Sequence, residues 1–424
     1  MKRSYVSELK PGQKVLLKGR VHEIRNLAKI YFILLRDITG IVQCVVKDNA
    51  IDLHNLNLES VVEIIGKTKK SLVKAEFSRK DIEIEVSEIN ILDIADKLPI
   101  HVNEKTTSTS FDKRLDYRSL DLRKPKISAI FKIQSTLING FREFFYNQSF
   151  IEIQPPGIIA TSTEGGTDLF EVKYFDKKAY LAQSPQLYKQ LMAISLEKVF
   201  STGSLWRAEK HDTTKHLNEI RQMDIECAFI DDMEVMDLLG QVVQYMVKKI
   251  IRECPKELSL LDLSLEVPKI KYLTYSKAIE LVSKEGISIK EGDDFEPEAE
   301  RKICSLFPNT LIFTYDWPLE LKPFYIWPKD KEKGISGGFD ALFGGVEISS
   351  GGQRVHIPEI LEKQLISKKL NPKDFSWYID AFRYGSPIHS GWSIGLERFT
   401  MALLKLPNIR EATLFPRDRN RLIP

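Results

Sequence analysis

The amino-acid sequence predicts an α+β protein in two parts, a small N-terminal β-barrel followed by a larger domain of strands flanked by helices. Three observations lead to this prediction. Short strand-like segments with alternating apolar residues fill positions 1–95. Long amphipathic patterns of helical period begin only after residue 125, and strand-like segments recur among them. With 424 residues, the chain is also too long for one ordinary core.

The composition narrows the function classes. There are 62 basic and 59 acidic residues, so a surface for nucleic acid must be a local patch. Cys44, Cys227, Cys254 and Cys304 show no C-x-x-C spacing, which argues against a zinc ribbon or a disulfide framework and favours a reducing compartment. No apolar run reaches membrane-spanning length, and the N-terminus does not have the pattern of a signal peptide. We therefore expect a cytoplasmic protein without membrane contact.

Five strand-like segments make up residues 1–95, namely KVLLKGRV, IYFILLRD, GIVQCVV, SVVEIIG and DIEIEVSEINIL. They predict a five-stranded barrel such as the OB-fold, which commonly binds single-stranded nucleic acid through aromatic stacking and basic groups. Tyr31 and Phe32 are the aromatic candidates, with Arg25, Arg36 and Gln43 near them. Successive strand residues face opposite ways, so only one of the two rings can stack on a base. Core packing of both rings is the alternative.

Residues 96–125 are polar and irregular and are predicted to form a linker. We interpret its run of basic residues as solvated; the run consists of Arg114, Arg118, Arg123, Lys124 and Lys126. An amphipathic helix follows Pro125 and ends before a strand that contains Pro155 and Pro156. Adjacent prolines confine such a strand to a sheet edge or a subunit boundary.

The stretch from Thr202 to Glu226 packs charged residues between two apolar runs, VFSTGSLW and MDIECAFI, and predicts a strand, a polar loop and a second strand. Arg207 stands at the end of the first run. A guanidinium placed there must face an anion, because it is always charged and fits a carboxylate or phosphate with two hydrogen bonds. A solvated hairpin tip is the alternative.

Three later segments carry further polar groups at the boundaries of predicted elements. AYLAQSPQLYKQLMA predicts a strand that runs into a helix, with Lys189 about one turn into the helix, where a solvent-facing lysine is the alternative. GGVEISSGGQRVH places Glu347 between Val346 and Ile348, which suggests burial, and a buried carboxylate needs a cation or a metal.

The third segment, GWSIGLERF, has glycines at 391 and 395 before a predicted helix. Glycines at a helix start let a phosphate or a flat base approach the backbone.

A capping box of Asp231 and Glu234 predicts the start of another helix. Residues 255–312 are interpreted as a peripheral helical insertion.

The long helix with Pro156, the stretch LWRAEKHDTTKHLNEIRQMDIE and the stretch GWSIGLERF resemble, in this order, the three motifs of class II aminoacyl-tRNA synthetases. Within subclass b, the chain is similar to archaeal-type aspartyl-tRNA synthetases over essentially its whole length, including the ending LFPRDRNRL. The resemblance implies an OB-fold at 1–95 that reads the anticodon, a hinge at 96–125 and a catalytic domain at 126–424. It also implies an antiparallel sheet flanked by helices and a homodimer formed through the first motif.

The implied reaction activates L-aspartate with ATP to aspartyl-adenylate and transfers the aspartyl group to the 3′ end of tRNA. It needs no covalent nucleophile, so the protein positions the reactants and stabilises charge. The implied catalytic residues are Arg207, Glu347 and Arg398, and Mg²⁺ is implied at Glu347 and Ser350. The implied ATP site consists of Arg207, Ala208, Glu209, Lys215, His216, Leu217, Glu347, Gly395, Leu396, Glu397 and Arg398. Lys215 departs from the family, which usually has arginine there.

The resemblance also implies which residues choose the amino acid. The implied L-aspartate pocket consists of Glu164, Gln186, Lys189, Arg207, Ser350 and Arg354. Aspartate differs from asparagine by one charge at nearly the same volume, so discrimination depends on cations around the side-chain carboxylate. An asparaginyl enzyme is expected to lack the lysine.

Anticodon contacts are implied at Arg25, Phe32, Gln43, His22 and Lys74. Discriminating archaeal forms tend to carry tryptophan where this chain has His22, whereas Lys74 lies near a position at which they hold lysine. The resulting hypothesis is a non-discriminating enzyme that charges tRNA-Asp and tRNA-Asn. The alternatives are a tRNA-Asp-specific enzyme, an asparaginyl-tRNA synthetase, a paralogue that activates an amino acid for another purpose, and a binding protein without chemistry. The intact barrel counts against the paralogue.

Overall fold

The computed structural model describes residues 1–27, 30–47, 53, 56–103, 108–161, 169–210 and 213–424. The chain divides into two compact units, Met1–Ile127 and Ser128–Pro424. Within the described part of the chain, no helix has both the length and the apolar character needed to cross a membrane.

The first unit contains a closed five-stranded barrel, as predicted. Its strands are β1 (Lys14–Leu27), β2 (Ile30–Arg36), β3 (Ile41–Val46), β4 (Val61–Lys70) and β5 (Ser78–Asp93). They follow the order β1-β2-β3-β5-β4, and all neighbours are antiparallel except β3 and β5. Alternate apolar side chains, such as Val15 and Leu17 of β1, fill the interior.

The two adjacent aromatic residues of β2 point to opposite faces, which confirms the parity argument. Tyr31 packs against the core of the barrel. Phe32 is half-buried and lies directly opposite Arg25 of β1 and Val45 of β3. Phe32 and Arg25 are therefore neighbours on the outer face of the barrel.

The segment interpreted as a linker with solvated charges contains two short helices, α1 (Phe111–Asp116) and α2 (Arg118–Asp121). The interpretation of its basic run as solvated is wrong, because Arg118 and Asp121 are buried. Asp121 accepts hydrogen bonds from Arg118 Nη1 at 2.6 Å and Arg114 Nε at 2.9 Å, and Lys124 Nζ lies 3.1 Å away. One carboxylate within the run thus pairs with three cations, and this pairing offsets the free-energy cost of removing their charges from water.

We expect Asp121→Asn to lower the free energy of unfolding by about 3–5 kcal/mol, because it leaves a buried guanidinium without its counter-charge. Urea denaturation measures the change. Asp96→Asn removes an exposed carboxylate of the same unit and serves as the control, with an expected change within about 0.5 kcal/mol. Equal effects of the two substitutions would contradict the buried charge cluster.

The second unit has eleven strands and nine helices among the residues that the structure describes. The strands are β6 (Ile151–Glu152), β7 (Ile158–Ile159), β8 (Glu171–Tyr174), β9 (Lys177–Leu181), β10 (Lys198–Trp206), β11 (Glu219–Ala228), β12 (Lys269–Thr274), β13 (Thr310–Tyr315), β14 (Gly338–Phe343), β15 (Val346–Gln353) and β16 (His389–Gly395). The helices are α3 (Pro125–Tyr146), which begins at the boundary of the units, α4 (Gln186–Leu196), α5 (Asp232–Glu253), α6 (Pro255–Leu260), α7 (Tyr275–Lys284), α8 (Pro297–Leu306), α9 (Pro358–Ser367), α10 (Ser376–Arg383) and α11 (Leu396–Leu403).

Eight of these strands form one sheet in the order β12-β13-β14-β15-β16-β11-β10-β6. Its six central strands are antiparallel, as predicted, and each edge strand pairs in parallel with its neighbour. β6 is an edge strand, which confirms the position predicted from Pro155 and Pro156. The strands β7, β9 and β8 form a separate small sheet.

The interpretation of residues 255–312 as a helical insertion is only partly correct. Helices α6, α7 and α8 lie in this segment, but it also supplies the edge strand β12 and the beginning of β13. Val282 of α7 and Ile303 of α8 pack with Leu342 of β14 in one apolar cluster. β12 and β13 are parallel, so a helical crossover must separate them, and these helices obscure the sheet pattern in the sequence.

Helices α3 and α5 cover one face of the large sheet. Phe141 and Phe145 of α3 contact the ring of Trp392 on β16, with centroids 6.2 and 5.8 Å apart. The Trp392 indole donates a hydrogen bond to the carbonyl of Val235 in α5. α5 begins with the predicted capping box of Asp231 and Glu234. Residues of β16 on either side of Trp392 must then face the opposite side of the sheet.

Candidate active site

A cavity of about 270 Å³ lies on the face of the sheet opposite α3 and α5. A row of polar residues crosses four strands beneath it, because Asp224 of β11, Ser393 of β16, Ser350 of β15 and Asp340 of β14 lie directly opposite one another. Residues in such a row share one face of the sheet. Strand register thus brings together polar groups that are far apart in the chain.

Most of the predicted site residues line this cavity. They are Gln186, Lys189, Arg207, Glu209, Lys215, His216, Leu217, Glu347, Ser350, Arg354, Gly395, Glu397 and Arg398. Ala208 and Leu396 are not among its lining residues, and Glu164 lies outside the described residues. Other lining residues were not predicted as site residues, among them Ser184, Gln222, Asp224, Lys322 and Tyr325.

Arg207 follows directly after β10, at the entrance to the loop between β10 and β11. Its backbone N–H donates to the carbonyl of Asn218 at 2.9 Å, and its own carbonyl accepts from the Asn218 side chain at 2.7 Å. Arg207 Nε is buried and has no hydrogen-bond partner among the described residues. Buried donors are almost always satisfied, so this one indicates an anionic ligand. The solvated-tip alternative does not hold for Arg207.

Lys189 and Arg354 are buried together with two carboxylates, each cation being only 2% exposed. Lys189 Nζ lies 3.0 Å from Asp224 Oδ1 and 3.6 Å from Glu226 Oε2. Arg354 donates from Nε and Nη2 to the two oxygens of Glu226, at 2.8 and 3.2 Å. The solvent-facing alternative for Lys189 is therefore wrong. The two-residue spacing of the carboxylates on β11, which puts both on one face, was the available signal for them.

Lys189, Arg354, Asp224 and Glu226 form a charged quartet. The pKa of each carboxylate in it depends on the cations that pair with that carboxylate. Burial raises the pKa of Asp224, and Lys189 opposes the shift only in part. Burial would also raise the pKa of Glu226, but the charges of Arg354 and Lys189 hold it below its ordinary value. Glu226 is thus the fixed anion that anchors Arg354. Arg354 Nη1 makes no hydrogen bond to any residue in the described ranges, and a ligand oxygen can bind there.

The two predicted glycines of β16 have different roles. A Cβ at Gly391 would lie 2.1 Å from Glu226 Oε2 and 2.4 Å from the carbonyl oxygen of Ile225. Gly391 therefore makes room for the Glu226 carboxylate, and its predicted role in ligand approach is wrong. A Cβ at Gly395 would meet only Arg398 Cβ, at 3.6 Å, so this position stays open toward the cavity.

Glu347 and Arg398 form the other end of the cavity. Arg398 Nη1 donates to the carbonyl of Glu347 at 3.0 Å and lies 3.8 Å from Glu347 Oε2. The Glu347 side chain is 35% exposed, so the burial inferred from its apolar neighbours is only partial, and the carboxylate opens into the cavity. Desolvation within the cavity, followed by the charge of Asp340, raises the pKa of Glu347 to about 7.

The donor set at this end fits a divalent cation that is bound together with a nucleotide. Glu347 and Ser350 offer hard oxygen donors on one strand. The described residues contain no group of three or more His, Cys, Asp or Glu side chains that could hold a metal alone. Mg²⁺ in nucleotide sites typically uses one or two carboxylates and completes its shell with phosphate and water. A cation would also relieve the repulsion between Glu347 and Asp340.

The loop between β10 and β11 brings two more predicted residues to the cavity. Lys215 Nζ lies 2.6 Å from Glu300 Oε2, on helix α8. His216 shares a hydrogen bond of 2.6 Å with Thr213, and burial lowers its pKa, so the ring is neutral at pH 7. Lys215 therefore already has one anionic partner, which the sequence did not reveal because Glu300 lies in the segment interpreted as an insertion.

Glu397 is not available as a predicted ATP contact through its side chain. It is 2% exposed, and its carboxylate accepts the backbone N–H of Arg221 at 3.0 Å. The side chain thus ties the first turn of α11 to β11. The ATP contact that the resemblance implies for Glu397 is therefore not made by its carboxylate.

Four of the predicted anticodon residues have side chains at the surface of the barrel. Arg25 and Phe32 lie side by side, and Lys74 is exposed. Gln43 donates to Glu83 at 3.1 Å. Their roles toward tRNA stay predictions.

His22 differs from the other four, because it is 3% exposed. It lies at an irregularity between β1 and β2, and its Nδ1 is 2.8 Å from Arg36 Nη1. Arg36 also donates to Glu59 at 2.6 Å. The prediction of a direct base contact by His22 is therefore corrected, since any influence on a base must pass through a neighbour such as Arg36.

Comparison with known proteins agrees with this geometry. Residues 110–419 match the family of class II tRNA synthetases (D, K and N), and residues 15–92 match the OB-fold nucleic acid binding domain. The chain belongs to the class II tRNA synthetases. It is therefore an aminoacyl-tRNA ligase, with ATP and tRNA as substrates, and this family uses divalent metal ions with ATP.

Three relatives of this synthetase span its whole length. The aspartate–tRNA(Asp/Asn) ligase of Archaeoglobus fulgidus is 43% identical over 435 residues, covering 100% of both chains. The aspartate–tRNA(Asp) ligase of Thermoplasma acidophilum is 42% identical over 434 residues, again covering 100% of both. The solved asparaginyl-tRNA synthetase from Pyrococcus horikoshii, complexed with asparaginyl-adenylate, superposes with a TM-score of 0.93 at 34% identity and covers 100% of both chains.

We expect Gly391→Ala to lower the free energy of unfolding by about 1–3 kcal/mol or more, because its methyl group collides with Glu226 and with backbone. Thermal unfolding measures the loss. Gly203→Ala is the matched control, since Gly203 lies in strand β10 of the same sheet and an added Cβ meets nothing within 4 Å. A Gly391→Ala protein as stable as the control would contradict the role of Gly391.

Proposed function

We propose that this synthetase is an aspartate–tRNA ligase that charges both tRNA-Asp and tRNA-Asn. The observation that carries the choice of amino acid is the buried pair of cations in the cavity, Lys189 and Arg354. Arg354 Nη1 and the Lys189 ammonium are the groups for a ligand carboxylate. Asparagine fits the same space but offers a neutral amide in place of a carboxylate, so it forms a weaker hydrogen bond with Arg354 Nη1 and binds less well.

The first step joins aspartate and ATP. An oxygen of the aspartate α-carboxylate attacks the α-phosphorus, the bond to the β-phosphate oxygen breaks, and pyrophosphate leaves. Arg207, whose buried Nε lacks a partner among the described residues, would bind the carboxylate and the α-phosphate together. Arg398, Lys215 and His216 would hold the triphosphate and the base, with Glu209 near the adenine or ribose.

Glu347 and Ser350 would hold Mg²⁺, which offsets phosphate charge when it is bound. In the second step a hydroxyl of the terminal adenosine of tRNA attacks the aspartyl carbonyl carbon, and AMP leaves. The side chains of the cavity position these groups and stabilise charge, and no protein nucleophile takes part.

The barrel would bind the anticodon through Arg25, Phe32, Gln43 and Lys74, with Phe32 as the stacking ring beside Arg25. The name of the Archaeoglobus fulgidus relative supports charging of both tRNAs. The name of the Thermoplasma acidophilum relative supports the alternative, an enzyme for tRNA-Asp alone.

We also propose a homodimer that forms along the edge of the sheet at β6. Large apolar side chains are exposed in β6 and in the elements next to it in sequence, with Ile151 of β6 at 46%, Tyr146 of α3 at 54% and Ile158 of β7 at 50%. Such residues at a sheet edge favour a subunit interface over open solvent. We place the enzyme in the cytoplasm, where its four free thiols stay reduced.

We expect Lys189→Met to raise the KM for aspartate by about 30-fold or more and to leave the KM for ATP within about twofold, because it removes one buried cation from the carboxylate site. ATP–pyrophosphate exchange measures both constants. Lys173→Met removes an exposed lysine of the same unit and serves as the control. Equal losses for aspartate and ATP would contradict the pocket assignment.

Aminoacylation of purified tRNA-Asp and tRNA-Asn transcripts tests the wider proposal. We expect kcat/KM for the two transcripts to agree within about tenfold, which corresponds to about 1.4 kcal/mol. A tRNA-Lys transcript is the control and should not be charged. A rate on tRNA-Asn about a thousandfold below that on tRNA-Asp, about 4 kcal/mol, would show a discriminating enzyme.

A further inference from the structure

Beneath the amino-acid end of the cavity lies a chain of hydrogen bonds that the reaction itself does not explain. It links four side chains that are at most 3% exposed, namely Gln186, Gln190, Tyr378 and His389. Gln186 lines the cavity, and its Nε2 lies 2.8 Å from Gln190 Oε1. Tyr378 donates to the same Gln190 oxygen at 2.9 Å. Gln190 Nε2 lies 2.9 Å from His389 Nε2.

One backbone carbonyl fixes the direction of every bond in this chain. His389 Nδ1 lies 3.0 Å from the carbonyl oxygen of Pro387, which can only accept a hydrogen bond, so Nδ1 carries the proton. Burial lowers the pKa of His389 to about 4, so the ring is neutral and its Nε2 is an acceptor. The Gln190 group that meets Nε2 must then be the amide NH₂, which places the Gln190 oxygen on the far side.

The orientation of Gln190 in turn fixes the orientation of the Gln186 amide, which lines the cavity. The Gln190 oxygen accepts a hydrogen bond from the Tyr378 hydroxyl. The Gln186 amide meets the same oxygen, so the Gln186 group that faces it must also be a donor. Gln186 therefore turns its NH₂ group inward. Its Oε1 makes no hydrogen bond to any residue in the described ranges and is the part of the amide left for a ligand in the cavity. An amide oxygen at this place accepts hydrogen bonds and repels no cation.

We propose that His389 and Gln190 are positioning residues for amino-acid recognition, because they hold the Gln186 amide with its oxygen toward the cavity, where it accepts a hydrogen bond from the ammonium group of the substrate. The inference rests on the proposed function, in which Gln186 belongs to the aspartate pocket. Without the relay, the Gln186 amide can turn over and present NH₂ to a cation, which costs a charge-assisted hydrogen bond.

The surroundings hold the relay in one arrangement. The His389 ring stacks on Phe382, with centroids 5.7 Å apart and an angle of 11° between the planes. The backbone carbonyl of His389 accepts the N–H of Arg354 at 2.9 Å. The relay and the cation that we assign to the aspartate side chain are thus fixed to the same segment of β16.

His389→Phe tests the proposal, since it keeps an aromatic ring but removes the acceptor. The assay is ATP–pyrophosphate exchange with L-aspartate as substrate and succinate, which lacks the ammonium group, as competing ligand. We expect the KM for aspartate to rise about tenfold. The Ki of succinate, the KM for ATP and kcat should each change less than about twofold. Equal weakening of succinate and aspartate, or an unchanged KM for aspartate, would overturn the proposal.

A second pair of variants separates orientation from general damage. In Gln186→Glu both side-chain oxygens are acceptors, so no orientation is needed. Adding His389→Phe to this variant should raise its KM for aspartate less than about twofold, and a further tenfold rise would overturn the relay. If His389→Phe does not fold, Gln190→Met breaks the same chain and must show the same split between aspartate and succinate. Failure of the unmodified protein to activate aspartate would instead refute the proposed function.

Discussion

The structure around the cavity depends on four charged side chains that are buried together. Lys189, Arg354, Asp224 and Glu226 are each at most 2% exposed, and removing any one leaves an uncompensated charge away from water. The two cations and two carboxylates balance when all are ionised. Their arrangement still leaves one face of Arg354 without a hydrogen bond to the described protein. These four charges therefore need no ligand to neutralise them, and Arg354 keeps a donor for the carboxylate that we propose as its ligand.

The surrounding fold supplies the space and the backbone positions that these four side chains need. Antiparallel pairing of β11 with β16 brings Gly391 against Glu226, and only a glycine there leaves space for the carboxylate. Helix α4 brings Lys189 to the sheet, and β15 leads into Arg354. Arg207, Glu347 and Arg398 continue the cavity toward the part that fits a nucleotide and its cation. The ends that we propose for the amino acid and the nucleotide therefore share one polar face of a single sheet.

Much of this organisation could be predicted from local sequence. The barrel, the helix after Pro125, the hairpin around Arg207 and the helix after Gly395 each follow from periodicity and boundary residues. Most of the features that the sequence did not predict depend on contacts between residues far apart in the chain. Burial of Lys189, the anion partner of Lys215 and the acidic pair on β11 depend on strand register and on helices distant in sequence. Asp121 failed for a different reason, because its three cationic partners lie within seven residues of it and the segment was interpreted as an irregular linker instead of two short helices.

We expect the charge of the substrate side chain to decide which amino acid is activated, and ATP–pyrophosphate exchange with L-aspartate, L-asparagine and L-lysine measures this choice. A cavity built on Lys189 and Arg354 predicts kcat/KM for aspartate at least about a hundredfold above that for asparagine, or about 2.7 kcal/mol, with no activity on lysine. Equal or better use of asparagine would contradict the account, because the two buried cations would then not be the groups that choose the amino acid.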